Sequence, residues 1–429
     1  MKQTEHLVKM KNNIQYFLYI IVVVSPMFVL QIKEKQLFLW LQILFVVMMF
    51  ISYRRFYIAK SIFIIGIFIE PFIAAIFATT SSMPDIYIRA AINLPIMSIP
   101  LYCLICYLYK MIKSKIDVIS VIIKALKAAI VVEVVWFFAQ LLLYKIAGID
   151  INQRIFVDTL HTVTNASFIR DWVWYPSGLS WHSVVLAPLF VMGMLLFDNI
   201  FFRIVIVLEA FLCGNSTTLL GVLLCIMLLM IRTIYNQKIE ITTKKLVEII
   251  IVVIFICIIA STPNIMDKLS QVIIKLWTRL FGMDKDASTA AHLNYYSDYI
   301  HILKRSKISQ IIFGYGYGCS GYTIAELHGR YGDGGIWAIE CDYINILVSR
   351  GIVGFISYYS LLAYIMLKGL KIDVRYFIFI FVILFQGFGY NIQFDYLLLV
   401  EIIMFISIRE NINFFEIVDE INFKKRRSN

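Results

Sequence analysis

Apolar residues occur along this chain in long blocks. They fill roughly 14–30, 36–52, 61–79, 88–109, 119–146, 181–197, 199–213, 216–233, 246–261, 343–366, 375–390 and 394–409. A helix needs about 20 apolar residues to cross a hydrocarbon core of about 30 Å, and most of these blocks fall near that length. A helix also closes its own backbone hydrogen bonds, so it tolerates lipid. The pattern therefore predicts an all-α, polytopic transmembrane bundle of about twelve spans. Within 181–233 the only breaks are Asp198-Asn199 and Gly214-Asn215.

The polar intervals alternate in character. One set is basic: Arg54, Arg55 and Lys60; Lys110, Lys113 and Lys115; Arg232, Lys238, Lys244 and Lys245; Lys368, Lys371 and Arg375; and the tail Lys424-Lys425-Arg426-Arg427. Lys2, Lys9 and Lys11 join them at the start. Basic short loops mark the cytoplasmic side, so an even number of spans with both termini cytoplasmic is expected. The other set contains two long segments, 147–180 and 262–342, which should face outward. The chain then divides into N-terminal spans (1–146), a first outer loop (147–180), central spans (181–261), a large outer loop (262–342), C-terminal spans (343–409) and a basic tail (410–429).

The large loop has internal periodicity. Within 265–280, Ile265, Leu269, Val272, Ile273, Leu276 and Leu280 share one face, with Lys268, Gln271, Lys275 and Arg279 opposite. That predicts a helix lying on the membrane surface. A second helix is expected over 288–305, with His292, Tyr295, Tyr296 and Tyr299 on one face and Asp298, His301 and Arg305 on another. Gly314-Tyr315-Gly316-Tyr317-Gly318 and Gly332-Asp333-Gly334-Gly335 mark turns or close backbone approach. Neither is a phosphate loop, because no Gly-Lys-Ser follows and no strand precedes.

Composition excludes an ordinary soluble globule: 61% of residues are hydrophobic, 16% are charged and the mean hydropathy is +0.82. The net charge of +11 fits positive-inside bias and anionic headgroups better than nucleic acid. The N-terminal run lacks a small-residue cleavage pattern and is expected to stay as a span. The seven cysteines show no zinc spacing, and Cys103, Cys106, Cys225 and Cys257 lie inside apolar runs, where cysteine behaves as a small hydrophobe, so no metal and no cofactor are expected. Cys319 and Cys341 share the large outer loop, where an oxidising compartment would permit a disulfide.

Several ionisable residues interrupt the apolar blocks: Glu70, Glu133, His182, Arg203, Glu209 and Glu401. Charges at membrane depth are costly and turn towards the bundle interior. They line a polar cavity or proton path, or they pair between helices; for Arg203 and Glu209 pairing is favoured. Arg170, Trp174 and His182 lie in a stretch running from the first outer loop into a span. An arginine there suits an anionic headgroup or a diphosphate, while the aromatics suit sugar rings or an interfacial belt. At the end of the large loop, Glu340 and Asp342 stand where the chain re-enters the membrane. A carboxylate there can serve as a general base or simply favour a helix N-terminus.

Together these features resemble the bacterial O-antigen polymerase and ligase superfamily. The resemblance covers roughly 165–390. Glu340-Cys341, followed after 342–350 by Gly351 and Gly354, is similar to the ligases' His-[Asn/Ser/Gln] motif that precedes Gly-x-x-Gly, with Glu340 where the ligases carry histidine. Tyr175-Pro176-Ser177-Gly178 is similar to the family's Arg-x-x-Gly stretch, with Arg170 nearby. Ser288 to His292 with Phe313-Gly314-Tyr315-Gly316 matches the region of a second family arginine, His292 standing in that register. Gly214-Asn215-Ser216-Thr217 resembles a serine-arginine span start without the arginine.

The resemblance implies a GT-C-like bundle in the bacterial inner membrane with its active site on the periplasmic face. It implies a glycosyltransferase joining oligosaccharide repeat units carried on undecaprenyl diphosphate, assisted by a chain-length-regulating co-polymerase. Glu340, then Asp342, would be the base, with His292 as a positioning or acid/base residue. Arg170, Arg279 and Arg305 would bind diphosphate, and His182, Tyr296 and Trp174 would line the substrate site. An O-antigen ligase should keep the histidine that is Glu340 here. A lipid-linked oligosaccharide flippase should have more cations within its spans and shorter outer loops, and a secondary transporter should show repeated halves with Gly- or Pro-broken spans.

Overall fold

In a computed structural model the chain is almost entirely helical. It describes residues 2–59, 61–79, 83–114, 117–162, 168–170, 173–180, 183–235, 287–328 and 339–428. The helices are α1 (Lys2–Val24), α2 (Leu37–Tyr53), α3 (Ile62–Thr79), α4 (Asp85–Lys113), α5 (Ile119–Ala147), α6 (Ser183–Leu196), α7 (Ile200–Leu212) and α8 (Ser216–Tyr235). After the undescribed stretch come α9 (Ala287–Arg305), α10 (Ile308–Phe313), α11 (Ser320–Leu327), α12 (Asp342–Gly369), α13 (Val374–Gly387), α14 (Asp395–Arg409) and α15 (Phe414–Ser428). Each expected span except 246–261 carries a helix; that block and the expected surface helix over 265–280 lie outside the described residues.

Among the described residues, four helices are long and apolar enough to cross a membrane: Ile62–Thr79, Asp85–Lys113, Ser216–Thr233 and Asp342–Gly369. The α3 helix shows which solvent its face suits. Ile62, Ile69 and Ile76 are 82%, 52% and 63% exposed, whereas the adjoining Glu70 is 2% exposed. Isoleucine outward and carboxylate inward is the reverse of a water-facing helix and is the pattern lipid demands. A continuous core joins most helices, centred on residues such as Phe38, Tyr107, Phe137, Phe190, Tyr376 and Phe405. The packing of α12 against α3, α6 against α8 and α1 against α5 is the most extensive.

The described residues of 147–180 hold regular structure that their sequence does not suggest. Two short strands, β1 (Phe168–Arg170) and β2 (Val173–Tyr175), pair antiparallel, with Arg170 opposite Val173. The chain then dips into the protein at 176–180, where every residue is buried. Buried backbone needs partners, and α5 supplies them. Gln140 accepts from the Ser177 and Gly178 amides at 3.1 and 3.0 Å, and Glu133 accepts from the Leu179 amide at 3.0 Å. Asn152 donates to the Gly178 carbonyl at 2.6 Å. Glu133 thus ties α5 to this buried backbone segment.

At another end of the bundle, polar groups from three segments converge. Arg375 donates to Asp373 at 2.7 Å and to Asp419 at 2.7 Å, and Arg232 approaches Asp373 at 3.9 Å. Burial alone would raise the Asp373 pKa, but hydrogen bonds and charge from Arg375, with Arg232 beyond, hold it below the ordinary carboxylate value.

Two predictions follow from these anchors. Gly178 has φ +63°, and a Cβ there would lie 1.7 Å from Glu133 Oε1. Gly178→Ala should therefore cost about 2–4 kcal/mol, from backbone strain plus displaced hydrogen bonds. Gly148, at φ +66° in open space, should cost only about 1–2 kcal/mol as alanine; thermal midpoints in detergent compare the two. For Asp373, folding lowers the pKa, so its stabilisation is complete above the unfolded value of about 3.9 and fades as pH falls below it. The stability advantage of wild type over Asp373→Asn, followed by denaturation from pH 7 to 3, should narrow only at the acid end.

Candidate active site

The α12 helix is not one continuous helix. Gly351 has φ 64° and ψ −168°, which breaks the hydrogen-bond ladder inside an otherwise membrane-length element. Carbonyls released by such a break need new donors, and at membrane depth only protein can supply them. The Gly314–Gly318 loop does so. The Tyr315 amide donates to the Val348 carbonyl at 2.8 Å, and the Gly316 amide donates to the Ser349 carbonyl at 2.9 Å.

Glycine is required on both sides of this contact. A Cβ on Gly351 would lie 2.4 Å from the Ile312 carbonyl oxygen, and one on Gly314 would lie 2.4 Å from the backbone of Ser349. A Cβ on Gly316 would meet Ala78 and Ala91 at 2.6 and 2.9 Å, so the loop is wedged between α3 and α4. Phe313 stacks on Phe77 at 4.6 Å with an interplanar angle of 3°.

The kink also aims Arg350 into the protein. Its Nε donates to Glu70 Oε2, its Nη2 donates to the Ile67 carbonyl at 3.4 Å, and its guanidinium lies 5.7 Å from the Tyr317 ring centroid. Burial pushes the Tyr317 hydroxyl up to about 12, with Arg350 opposing the rise. A Cβ on Gly354 would lie 2.3 Å from the Arg350 Cβ and 2.9 Å from the Glu70 carboxyl carbon. The Gly351-x-x-Gly354 spacing therefore has a physical meaning here: the first glycine turns the chain and the second admits the ion pair. Glu70 pairs between helices, whereas Glu133 holds a buried backbone segment.

Onto this platform pack α9, α10 and α11. Ile302, Ile339, Cys341, Ile344 and Val348 form a small separate core, bordered by Tyr295, Tyr296, Tyr299 and Tyr315. Between these helices and the end of α3 lies a cavity of about 250 Å³. Arg305, Lys307, Gln310, Tyr315, Tyr322, Thr323 and Glu326 give it polar lining, and Phe77 and Met83 apolar lining. Two cations against one carboxylate, with hydroxyls and aromatic faces beside them, suit an anionic ligand carrying a polar, ring-shaped portion.

The residues expected from sequence fall in different places. Arg305 lines the cavity. Glu340 is exposed, beside Tyr295, whose hydroxyl its charge and backbone influence. Asp342 is fully buried and accepts from the Tyr359 hydroxyl at 2.7 Å, the Ile392 amide at 3.2 Å and the Gln393 side chain at 3.2 Å. Those donors tie the start of α12 to the turn before α14. Tyr296 packs in the small core, where Cys341 donates to its hydroxyl at 3.5 Å. Trp174 stacks on Tyr144 at 3.8 Å and donates to Asp150 at 2.9 Å, so its ring face and its N–H already have partners. Arg170 lies in β1 and His292 in α9, but their side chains, like Arg279 and His182 entirely, lie outside the described residues.

Cys319 and Cys341 are free thiols in separate cores, Cys319 among Ala78, Met83 and Ala91 and Cys341 beside Val348. Burial pushes the Cys319 thiol up to about 12, so it behaves as a small apolar group. Sequence reading passed over Lys307, Tyr322, Glu326 and Arg350. The last carried a signal: an arginine beside glycine, deep in an apolar run that begins at 343. The chain matches no protein-family model and no curated protein.

Removing one member of a buried ion pair strands the other, at about 3–5 kcal/mol, whereas apolar replacement of both is far less costly. Glu70→Ala should therefore lower the thermal midpoint more than the double substitution Glu70→Leu with Arg350→Met. Equal losses in the two proteins would mean that the pair is not coupled.

Proposed function

We propose that the chain is an O-antigen polymerase. In this reading it is a polytopic glycosyltransferase of about twelve spans, GT-C-like in architecture, with both termini cytoplasmic and its active site on the periplasmic face of the bacterial inner membrane. It transfers a growing glycan from undecaprenyl diphosphate to the terminal sugar of a new lipid-linked repeat unit. The observation that carries the reading is the cavity in which Arg305 and Lys307 converge beside Tyr315 and Tyr322. It is walled by the segment between the apolar blocks and by the end of α3, and that segment is fastened to a span-length helix broken at its Gly-x-x-Gly spacing. A site there suits a substrate that is half lipid and half sugar.

In this mechanism the acceptor hydroxyl loses its proton as its oxygen bonds to the donor's anomeric carbon. The bond from that carbon to the phosphate oxygen breaks, and the electron pair leaves with the diphosphate. Charge on that diphosphate rises towards the transition state, so cations fixed in advance lower the barrier. Arg305 and Lys307 take that part, and the hydroxyls and rings of Tyr315 and Tyr322 contact sugar.

A strain lacking the gene, examined for lipopolysaccharide banding, tests the reading. Lipid A core carrying a single repeat unit is the expected result; core with no attached glycan would overturn it and point to a ligase or flippase. With the gene restored, Arg305→Ala and Lys307→Ala should each slow chain extension by roughly 10²-fold, the usual loss for one fixed donor at developing charge.

A further inference from the structure

Beside the cavity lies a pair of side chains to which the reading above gives no role. His328, which ends α11, has Nε2 3.0 Å from Asp298 Oδ2 on α9. The Asp298 side chain is 9% exposed and that of His328 is 47% exposed. A buried carboxylate holding one nitrogen of a half-exposed imidazole is the geometry that fixes a histidine tautomer: Nε2–H donates to Asp298, and Nδ1 keeps its lone pair. Nδ1 has no hydrogen-bond partner among the described residues.

We infer that His328 is the general base of the transfer and that Asp298 positions it, an inference that rests on the polymerase reading. The placement is what connects the pair to the cations. Asp298, Ile302 and Arg305 stand at i, i+4 and i+7 and so share one face of α9. Ile302 and Arg305 both line the cavity, as do Glu326 and Leu327, which lead directly into His328. Asp298 and His328 do not themselves line the cavity but adjoin residues that do, and seven residues of helix span about 10 Å, so the inference sets the base at the rim of the site, about that far from Arg305. The reacting carbon would lie between them, with the acceptor hydroxyl at Nδ1 and the leaving diphosphate at Arg305 and Lys307.

The step balances. Nδ1 takes the hydroxyl proton while the new carbon–oxygen bond forms. The old bond to phosphate breaks with its electron pair, and the imidazolium later returns the proton to the released diphosphate or to water. Glu340 is the rival. It is exposed and shares the neighbourhood through Tyr295, whose hydroxyl responds to both Glu340 and Asp298.

The test uses purified full-length protein added to membranes from the deletion strain, with growth of the glycan ladder as the readout. His328→Gln should slow extension by about 10²–10⁴-fold, the range for loss of a general base, at an unchanged thermal midpoint. Added imidazole should restore part of the rate to His328→Ala. Asp298→Asn should lower kcat and leave KM in place, because the ring is misoriented while binding is kept. His328→Gln working at the wild-type rate would overturn the inference. So would a loss that tracks the thermal midpoint and resists imidazole, since the pair would then only tie α9 to α11. Failure of the wild type itself to extend glycan in this assay would instead sink the polymerase reading, and this one with it.

Discussion

A single break in the backbone governs how this protein can have a site at all. Helix α12 runs for the length of a membrane span, and Gly351 interrupts it. The released Val348 and Ser349 carbonyls have to be satisfied away from water, and the amides of Tyr315 and Gly316 satisfy them. That exchange fixes the start of the 314–318 loop to the bundle. Because α10 immediately precedes this loop and α11 follows it, the loop also fixes the helices that wall the cavity. The Arg350–Glu70 pair is the second consequence of the same turn, since the kink directs the arginine into α3 instead of along its own helix. Two independent elements, α3 and the glycine loop, are thereby clamped to one point.

Similar reasoning explains the other buried polar groups. Glu133 and Gln140 hold 176–180 below the surface through backbone amides. Asp342 holds the turn before α14, and Glu401 accepts from the Tyr358 hydroxyl at 3.3 Å. In each case a carboxylate or amide supplies hydrogen bonds that an irregular backbone or a buried hydroxyl would otherwise lack. These are fastenings, and they are concentrated where the chain departs from regular helix. Glu209 differs: it is fully buried, and neither of its oxygens has a hydrogen-bond partner among the described residues. The pairing favoured for it from sequence is not seen there, and its neighbour Arg203 donates instead to the Phe197 carbonyl at 2.6 Å.

The helices were legible because membrane-length apolar runs have few alternatives. The expected starts near 36, 61, 119, 343, 375 and 394 fall within a residue or two of helices in the structure. Glycine at 314, 316 and 318 was legible as a turn or close approach, but not what approached what, because Gly314 meets the backbone 35 residues further on and Gly316 meets Ala78 and Ala91. The candidate site was harder to read for the same reason. Arg305 lines the cavity, yet Lys307, Tyr322 and Glu326 have no special spacing and meet only through the folding of three short helices. Trp174 and Tyr296 look, in sequence, like residues displayed to a ligand. In the structure Trp174 stacks on Tyr144 and Tyr296 packs against Cys341, because an aromatic ring near an apolar core gains more from burial than from exposure. Composition cannot distinguish the two.

The division of labour between the bundle and the outer helices has a chemical logic. Cations that meet a developing charge work best when they are fixed before the reaction, since reorganising them would cost much of what they contribute. Arg305 and Lys307 flank the short turn between α9 and α10, and α10 packs on two spans, α12 and α3. The break at Gly351 creates the acceptors that fasten it. An unbroken α12 would be the more regular helix, but it would present no free carbonyls to the loop and no inward arginine to α3. The outer helices would then rest on the bundle through side chains alone. The irregularity that looks most costly in the membrane is therefore what fixes α10 and the glycine loop, and with them the walls of the cavity, to the bundle.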